Sequence, residues 1–281
     1  MASTQIAQNL AFVNWTVLTG LAIGSYAAAV LVRRRTSATS GFLGFTATCA
    51  VVFGFLAWLS DGALPVSLGD SPVVDDPAWA QPRATALLAF CGFAALALLV
   101  RRVRPAAGAW VELAALAVGG LALVFAALSW GGVAVSGIAA LLLQFVLVTA
   151  SAGGVFSAMI LGHWYLVTPK LPEAPLILLS RALFTVVAAQ IVLFWVWIGT
   201  GAGPAPDGAP FSALTGPWAL FVWLRLIVGL IFPLVVSWAA LQTAKTRSME
   251  SATGLQYLNV GSILAGTILA AGLYFGAGLL V

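Results

Sequence analysis

Few residues in this chain can move a proton, hold an anion or bind a metal, and most of those stand in apolar surroundings. Arg225 lies in FVWLRLIVG, with apolar neighbours on both sides. Asp61 ends the run AWLSD, and Glu112 and Arg181 stand inside apolar stretches of their own. His163, the single histidine, leads Trp164 and Tyr165 in GHWYLVTPK. A charge in an apolar medium is costly and persists only where a partner or ligand offsets it. A carboxylate near an arginine in such a medium can exchange protons with a redox carrier, which makes Asp61 the candidate proton acceptor. Arg225 can pair with Asp61, hold an anionic or quinone-type ligand, or bind a lipid phosphate. Glu112 is placed at an interface or beside Arg104, and Arg181 is near enough to a span end to snorkel. His163 can anchor an interface with its aromatic neighbours, or serve as a ligand or relay. One histidine cannot supply two axial ligands, so bis-histidine haem is excluded and no haem is expected. No His, Cys and carboxylate cluster has metal-ligand spacing, and no phosphate-cradling glycine loop or nucleophile triad is present.

The elements that position these residues follow from composition. Of 281 residues 62% are hydrophobic and 7% charged, with a mean hydropathy of +1.08. A soluble globule of this composition would leave large apolar patches in water, and a disordered chain needs low hydrophobicity. Gly 29 without a period and Cys 2 exclude collagen-like and disulfide-stapled folds. Only helices or a closed barrel can cross a bilayer, and a barrel strand alternates over about ten residues. Here apolar runs cover about 10–32, 41–61, 84–100, 108–130, 133–166, 175–199, 217–241 and 254–280. The chain therefore reads as an all-α integral membrane protein of eight transmembrane helices. Its outer loops, 62–83 and 199–216, are rich in Pro, Gly and Asp and make poor helices.

The cations fall in alternate breaks. Arg33, Arg34 and Arg35, then Arg101, Arg102 and Arg104, Lys170, and Lys245 with Arg247 place nine of the twelve on one side. That side is cytoplasmic by the positive-inside rule, so both termini lie on the non-cytoplasmic side of the cell membrane. Only Arg83 joins Asp70, Asp75 and Asp76 on the other side. The first cations follow the first apolar run, so that run does not read as a cleaved signal peptide. Cys49 and Cys91 should differ in depth by roughly 10 Å, too far for a disulfide. The net charge of +4 is scattered and carries no nucleic-acid signature.

The two halves of the chain echo each other. Without gaps, Thr19, Ala22, Gly24, Ala28 and Leu31 meet Thr149, Ala152, Gly154, Ala158 and Leu161, five identities in eighteen positions. Ser40 and Leu43 match Ser180 and Leu183, and Leu113, Ala126, Leu128 and Gly131 match Leu258, Ala271, Leu273 and Gly276. The order is kept, which predicts two four-helix units, 1–132 and 133–281, related by a pseudo-twofold axis along the membrane normal. Gly20 and Gly24, and Ala150, Gly154 and Ala158, form small-residue grooves suited to close helix packing.

This pattern resembles the quinone-reactive membrane subunits of the polysulfide-reductase and DMSO-reductase group, the NrfD-like and DmsC-like proteins. The resemblance rests on TGLAIGSY at Thr19–Tyr26, TASAGGVF at Thr149–Phe156, the aromatic-to-arginine stretch Trp223-Leu224-Arg225 and GLYFG at Gly272–Gly276. The chain departs from the group in having Asp61 where many members carry a histidine, and apolar residues near Thr267–Gly272 where they carry Glu and Arg. The resemblance implies a membrane anchor subunit of an electron-transfer complex, exchanging electrons and protons with the quinone pool. An iron–sulfur or other redox protein would be its partner and quinone its only cofactor. Asp61 would then be the catalytic acceptor, with Arg225, Trp223 and His163 binding the cofactor. A transporter or channel for a small solute, and a structural membrane protein without ligand, are the alternatives. The cation pattern makes a direct prediction: a reporter fused at Val281 is active outside the cytoplasm, one fused near Arg102 inside. Cytoplasmic activity at both positions would reject the eight-span topology.

Overall fold

The computed structural model describes residues 2–65, 68–168, 170–205 and 209–281, with side chains from residue 5 onward. Among them there is no strand. Eight helices are long and apolar enough to cross a membrane: Leu10–Arg35, Ser40–Gly62, Pro77–Val103, Pro105–Trp130, Val135–Val167, Ala174–Thr200, Ala219–Lys245 and Met249–Ala277. The chain is a multi-pass helical membrane protein. A short helix, Ala2–Gln8, precedes the first span, and its Ile6 packs on Gly272 near the end of the eighth.

Local sequence sets several boundaries. Thr39 caps the second span, its hydroxyl accepting from the Phe42 amide at 3.4 Å. Pro105 opens the fourth span directly after Arg104, where its missing N–H costs nothing. Gly201 and Gly278, at φ 64° and 68°, end the sixth and eighth spans in the left-handed conformation that glycine adopts freely.

The first span is the centre of the bundle. Of its most apolar window 78% is buried, against 33% for the sixth span, which faces outward. The first span packs on the second, fifth and eighth; the fourth packs on the third and fifth. The seventh lies between the sixth and eighth, and the eighth runs along the fifth. By contrast the first and fourth spans touch at few places.

The first and fifth spans cross backbone to backbone. A Cβ built on Gly24 would strike the Thr149 carbonyl and lie 3.0 Å from the Gly153 Cα. One built on Gly153 would strike the Gly24 and Ser25 backbone. The small-residue groove expected of these spans is therefore used, with Gly153 rather than Gly154 facing Gly24. Ser157 reinforces it, donating to the Ser25 carbonyl at 3.4 Å and to its own Gly153 carbonyl at 2.8 Å.

The seventh span is not a uniform α-helix. Residues Ile227–Ile231 form a π-helical turn, in which the Phe232 amide reaches back to the Ile227 carbonyl. Pro233 lies just beyond it and has no N–H for the Gly229 carbonyl four residues back. The consequence of this turn is felt at Arg225, which donates to the Gly229 carbonyl.

Cysteines 49 and 91 are both free. Cys91 sits against Gly54, more than one helical turn beyond Cys49. The crossing generates a stability prediction. Gly24→Ala should destabilise the folded state by about 1–3 kcal/mol through backbone displacement, whereas Gly92→Ala, in open space, should not. Unfolding in mixed detergent micelles measures both, and equal stability of the two variants would contradict the crossing.

Candidate functional site

At the end of the bundle away from the arginine-rich loops, Asp61 closes the second span and Arg83 lies in the first turns of the third. Arg83 Nε donates to Asp61 Oδ2 at 2.7 Å, and Nη2 donates to Oδ1 at 3.4 Å. Nη1 donates to Ser129 Oγ at 2.7 Å, at the end of the fourth span. The guanidinium lies over the Trp130 ring, 4.3 Å from its centroid, and 5.8 Å from that of Trp15. Both charged side chains are almost completely buried. The chain just before the third span folds over this pair, with the Asp76 amide donating to the Ser129 carbonyl at 2.8 Å. Asp75 is partly buried beside it, and burial pushes its carboxyl above the ordinary carboxylate range while Arg83 pulls the other way. Two fork bonds, a hydroxyl and an aromatic face satisfy Arg83, so the pair is a latch between three spans.

This corrects the expected pairing of Asp61 with Arg225. Position along a span does not fix which side of the helix a residue occupies, and Arg83 lies on the adjacent, antiparallel third span. Arg225 instead has neutral partners. Its Nη2 donates to Gln190 Oε1 at 2.6 Å and its Nη1 to the Gly229 carbonyl at 3.3 Å. That carbonyl is the one Pro233 leaves without its usual helical donor. Arg225 is 3% exposed, and its Nε has no hydrogen-bond partner. Gln144, from the fifth span, lines the same tight space. The expected burial of Arg225 therefore holds, while its partner is an amide carried by the sixth span.

A cavity with a charged rim lies at the opposite, arginine-rich end. It encloses about 560 Å³ within the first four spans. Ala29, Val30, Leu43, Ala47, Ala97 and Leu98 form apolar walls, and Arg33, Arg101, Arg102 and Glu112 form a charged rim. Glu112 is not an interfacial residue beside Arg104. It is 2% exposed and joined to Arg33, with Arg101 Nε 3.2 Å away. Tyr26, one turn and more below Arg33, lines the cavity and stacks edge-on to Phe90. Its hydroxyl is buried without a hydrogen-bond partner, within electrostatic reach of Arg33 and Arg101. The cavity is lined by residues of the first four spans, while at this end the fifth and eighth meet through Gly162 and Thr253.

No protein-family model, curated protein or solved structure matches this chain.

The remaining candidate residues are not gathered into one place. His163 is exposed at the arginine-rich end of the fifth span, with its Nδ1 3.3 Å from the Tyr257 hydroxyl. Trp223 is 41% exposed, donates to the Leu214 carbonyl at 3.2 Å, and faces away from Arg225. Arg181 is exposed. Among the described residues no three His, Cys, Asp or Glu side chains group as a metal ion would need.

Sequence reasoning passed over one feature, a polar seam along the eighth span. Thr253, Gln256, Asn259 and Ser262, three residues apart, are buried, Thr253 against Gly162 of the fifth span and the other three toward the sixth and seventh. Gln256 donates to Ser180 at 3.0 Å, Asn259 to Ser237 at 2.8 Å and Ser262 to the Val228 carbonyl at 2.8 Å. The seam ends at Gly266, against Gly229 and Arg225, roughly 20 Å from Thr253. The period of three was visible in the sequence, but uncharged residues attract less notice than charges. Such bonds hold membrane helices together.

The latch yields a prediction. Asp61→Leu leaves Arg83 buried and unpaired and should cost roughly 3–5 kcal/mol. Asp61→Leu with Arg83→Leu should regain more than half of that, whereas Asp61→Leu with Arg225→Leu should regain none. Unfolding curves of the three variants decide between the observed pair and the expected one.

Proposed function

We propose that this chain is a cytoplasmic-membrane binding subunit whose first four spans take an amphiphilic ligand at the arginine-rich end. The carrying observation is the buried, unpartnered Tyr26 hydroxyl in a cavity of about 560 Å³ with a charged rim. A cavity of that size suits a drug-sized molecule or a lipid head with the first part of its tail. Its depth, from Arg33 to Tyr26, is about 10 Å, so a ligand there has its head at the interface and its tail in hydrocarbon.

The alternating cations support the topology with both termini outside and the cavity opening toward the cytoplasm. Two tandem four-span units are supported by the packing pattern. First-to-eighth contact answers fifth-to-fourth, and first-to-sixth answers fifth-to-second. The latch and the Arg225 site answer each other too: an arginine near the start of the third or seventh span meets an acceptor on the span before it.

Membership of an electron-transfer complex, with a quinone as ligand and an iron–sulfur partner, is the reading that the resemblance favours. Asp61 cannot serve it in the expected way, because Arg83 holds both carboxylate oxygens. A quinone carbonyl could instead accept from Tyr26. The polar seam favours a second reading, in which the second unit passes a small solute or protons between Thr253 and Arg225.

The test is extraction and mass spectrometry of lipophiles bound to protein purified in mild detergent. Wild type should carry a stoichiometric amphiphile. Ala97→Phe, which fills the cavity, should lower its occupancy at least tenfold, and Tyr26→Phe should lower it severalfold. The same lipophile content in wild type and Ala97→Phe would overturn the binding reading.

A further inference from the structure

The charge of the rim says what kind of head the cavity is built for. Arg33, Arg101 and Arg102 line it with one acid, Glu112, so the lining carries two cations in excess. Near the edge of a hydrocarbon layer that excess is poorly screened. A neutral head would leave it uncompensated, and an anionic head would not. Arg102 is exposed at the mouth and forms none of the ion pairs among the described residues, which leaves its guanidinium for a ligand. Glu112, by contrast, is committed. One carboxylate oxygen serves Arg33 and, at 3.2 Å, Arg101. Arg101 also donates to the Pro105 carbonyl at 3.1 Å, which fixes its guanidinium at the rim.

Resting on the cavity reading above, we propose that the ligand is an amphiphile with a phosphate-type anionic head. Glu112 holds the arginines as an internal substitute for that head until the ligand arrives. The head takes Arg101 and Arg102, whose planar forks suit phosphate oxygens. Arg33 stays on Glu112, so that carboxylate is never left buried and unpaired. The Tyr26 hydroxyl donates to an ester or phosphate oxygen at the cavity floor, and the apolar walls take the start of the tails. Basic pockets between spans on the cytoplasmic side are a recurrent way of holding anionic lipid heads.

The substitution of greatest interest is Glu112→Gln. It releases two guanidiniums, so affinity for an anionic amphiphile should rise roughly tenfold, as one charge-assisted bond is no longer competed for. Arg102→Gln should lower it roughly tenfold, and Arg35→Gln, at the same end but outside the cavity, should leave it unchanged. The probes are dioctanoyl phosphatidylglycerol, decyl-benzoquinone and inorganic phosphate, each titrated into full-length protein in a neutral maltoside detergent. Saturable phosphatidylglycerol binding that weakens with salt and follows these substitutions supports the proposal. Phosphatidylglycerol binding that ignores Arg102→Gln as it ignores Arg35→Gln overturns it, as does binding of the quinone alone; the cavity reading survives in both cases. Inorganic phosphate bound as tightly as the lipid overturns the amphiphile, since the apolar walls would then contribute nothing. Binding of none of the three overturns both the proposal and the cavity reading. If Glu112→Gln does not fold, the contrast between Arg102→Gln and Arg35→Gln still decides.

Discussion

The arrangement of this protein depends on the contact between two backbones. Where the first span crosses the fifth, Gly24 faces Gly153 and the Thr149 carbonyl with no room for a Cβ. In lipid, helices gain little from hiding apolar surface, so close van der Waals approach and interhelical hydrogen bonds must hold them. This crossing supplies both, since Ser157 reaches the Ser25 carbonyl beside it. The other spans are arranged around the crossed pair. The second and eighth lie on the first, and the fourth and sixth lie on the fifth.

Around this centre, the low dielectric determines how each charge is housed. Arg83 and Asp61 neutralise each other, and Glu112 is shared between two arginines. Arg225 is met only by dipoles, from the Gln190 amide and from a carbonyl released by Pro233. The three solutions differ in what they leave over. The latch balances its charge, one arginine against one carboxylate, whereas the arginine-rich cavity leaves excess positive charge and an unpartnered phenol. That difference directs attention away from the acid with the more conspicuous sequence position, Asp61, and toward Glu112 and Tyr26.

The spans were legible because a run of about twenty apolar residues has few other physical meanings. The use of the small-residue groove was legible for a similar reason, although its register differs by one residue at Gly153. Depth could also be read, and Arg225 is buried as its position implied. Direction around a helix axis could not be read, so Asp61 was matched with Arg225 rather than with Arg83 on the adjoining span. Arg83 was hidden by its place among loop acids, three residues after the helix begins at Ala80. The cavity had no sequence signal, because its lining is assembled from residues of four separate spans. The π-helical turn was foreshadowed only by Gly229 and Pro233, four residues apart.

The placement of the two buried arginines bears on how the chain enters the membrane during synthesis. Each arginine lies in the first turns of its span, and each is answered from the span just before it. An arginine presented to hydrocarbon alone carries an insertion cost of about 2.5–3.5 kcal/mol at the helix centre. With its acceptor already positioned on the preceding helix, much of that cost is offset as the second helix docks. The second and third spans, and likewise the sixth and seventh, are thus suited to leave the translocation machinery as helical hairpins. In each pair the outgoing helix has to wait for the returning one.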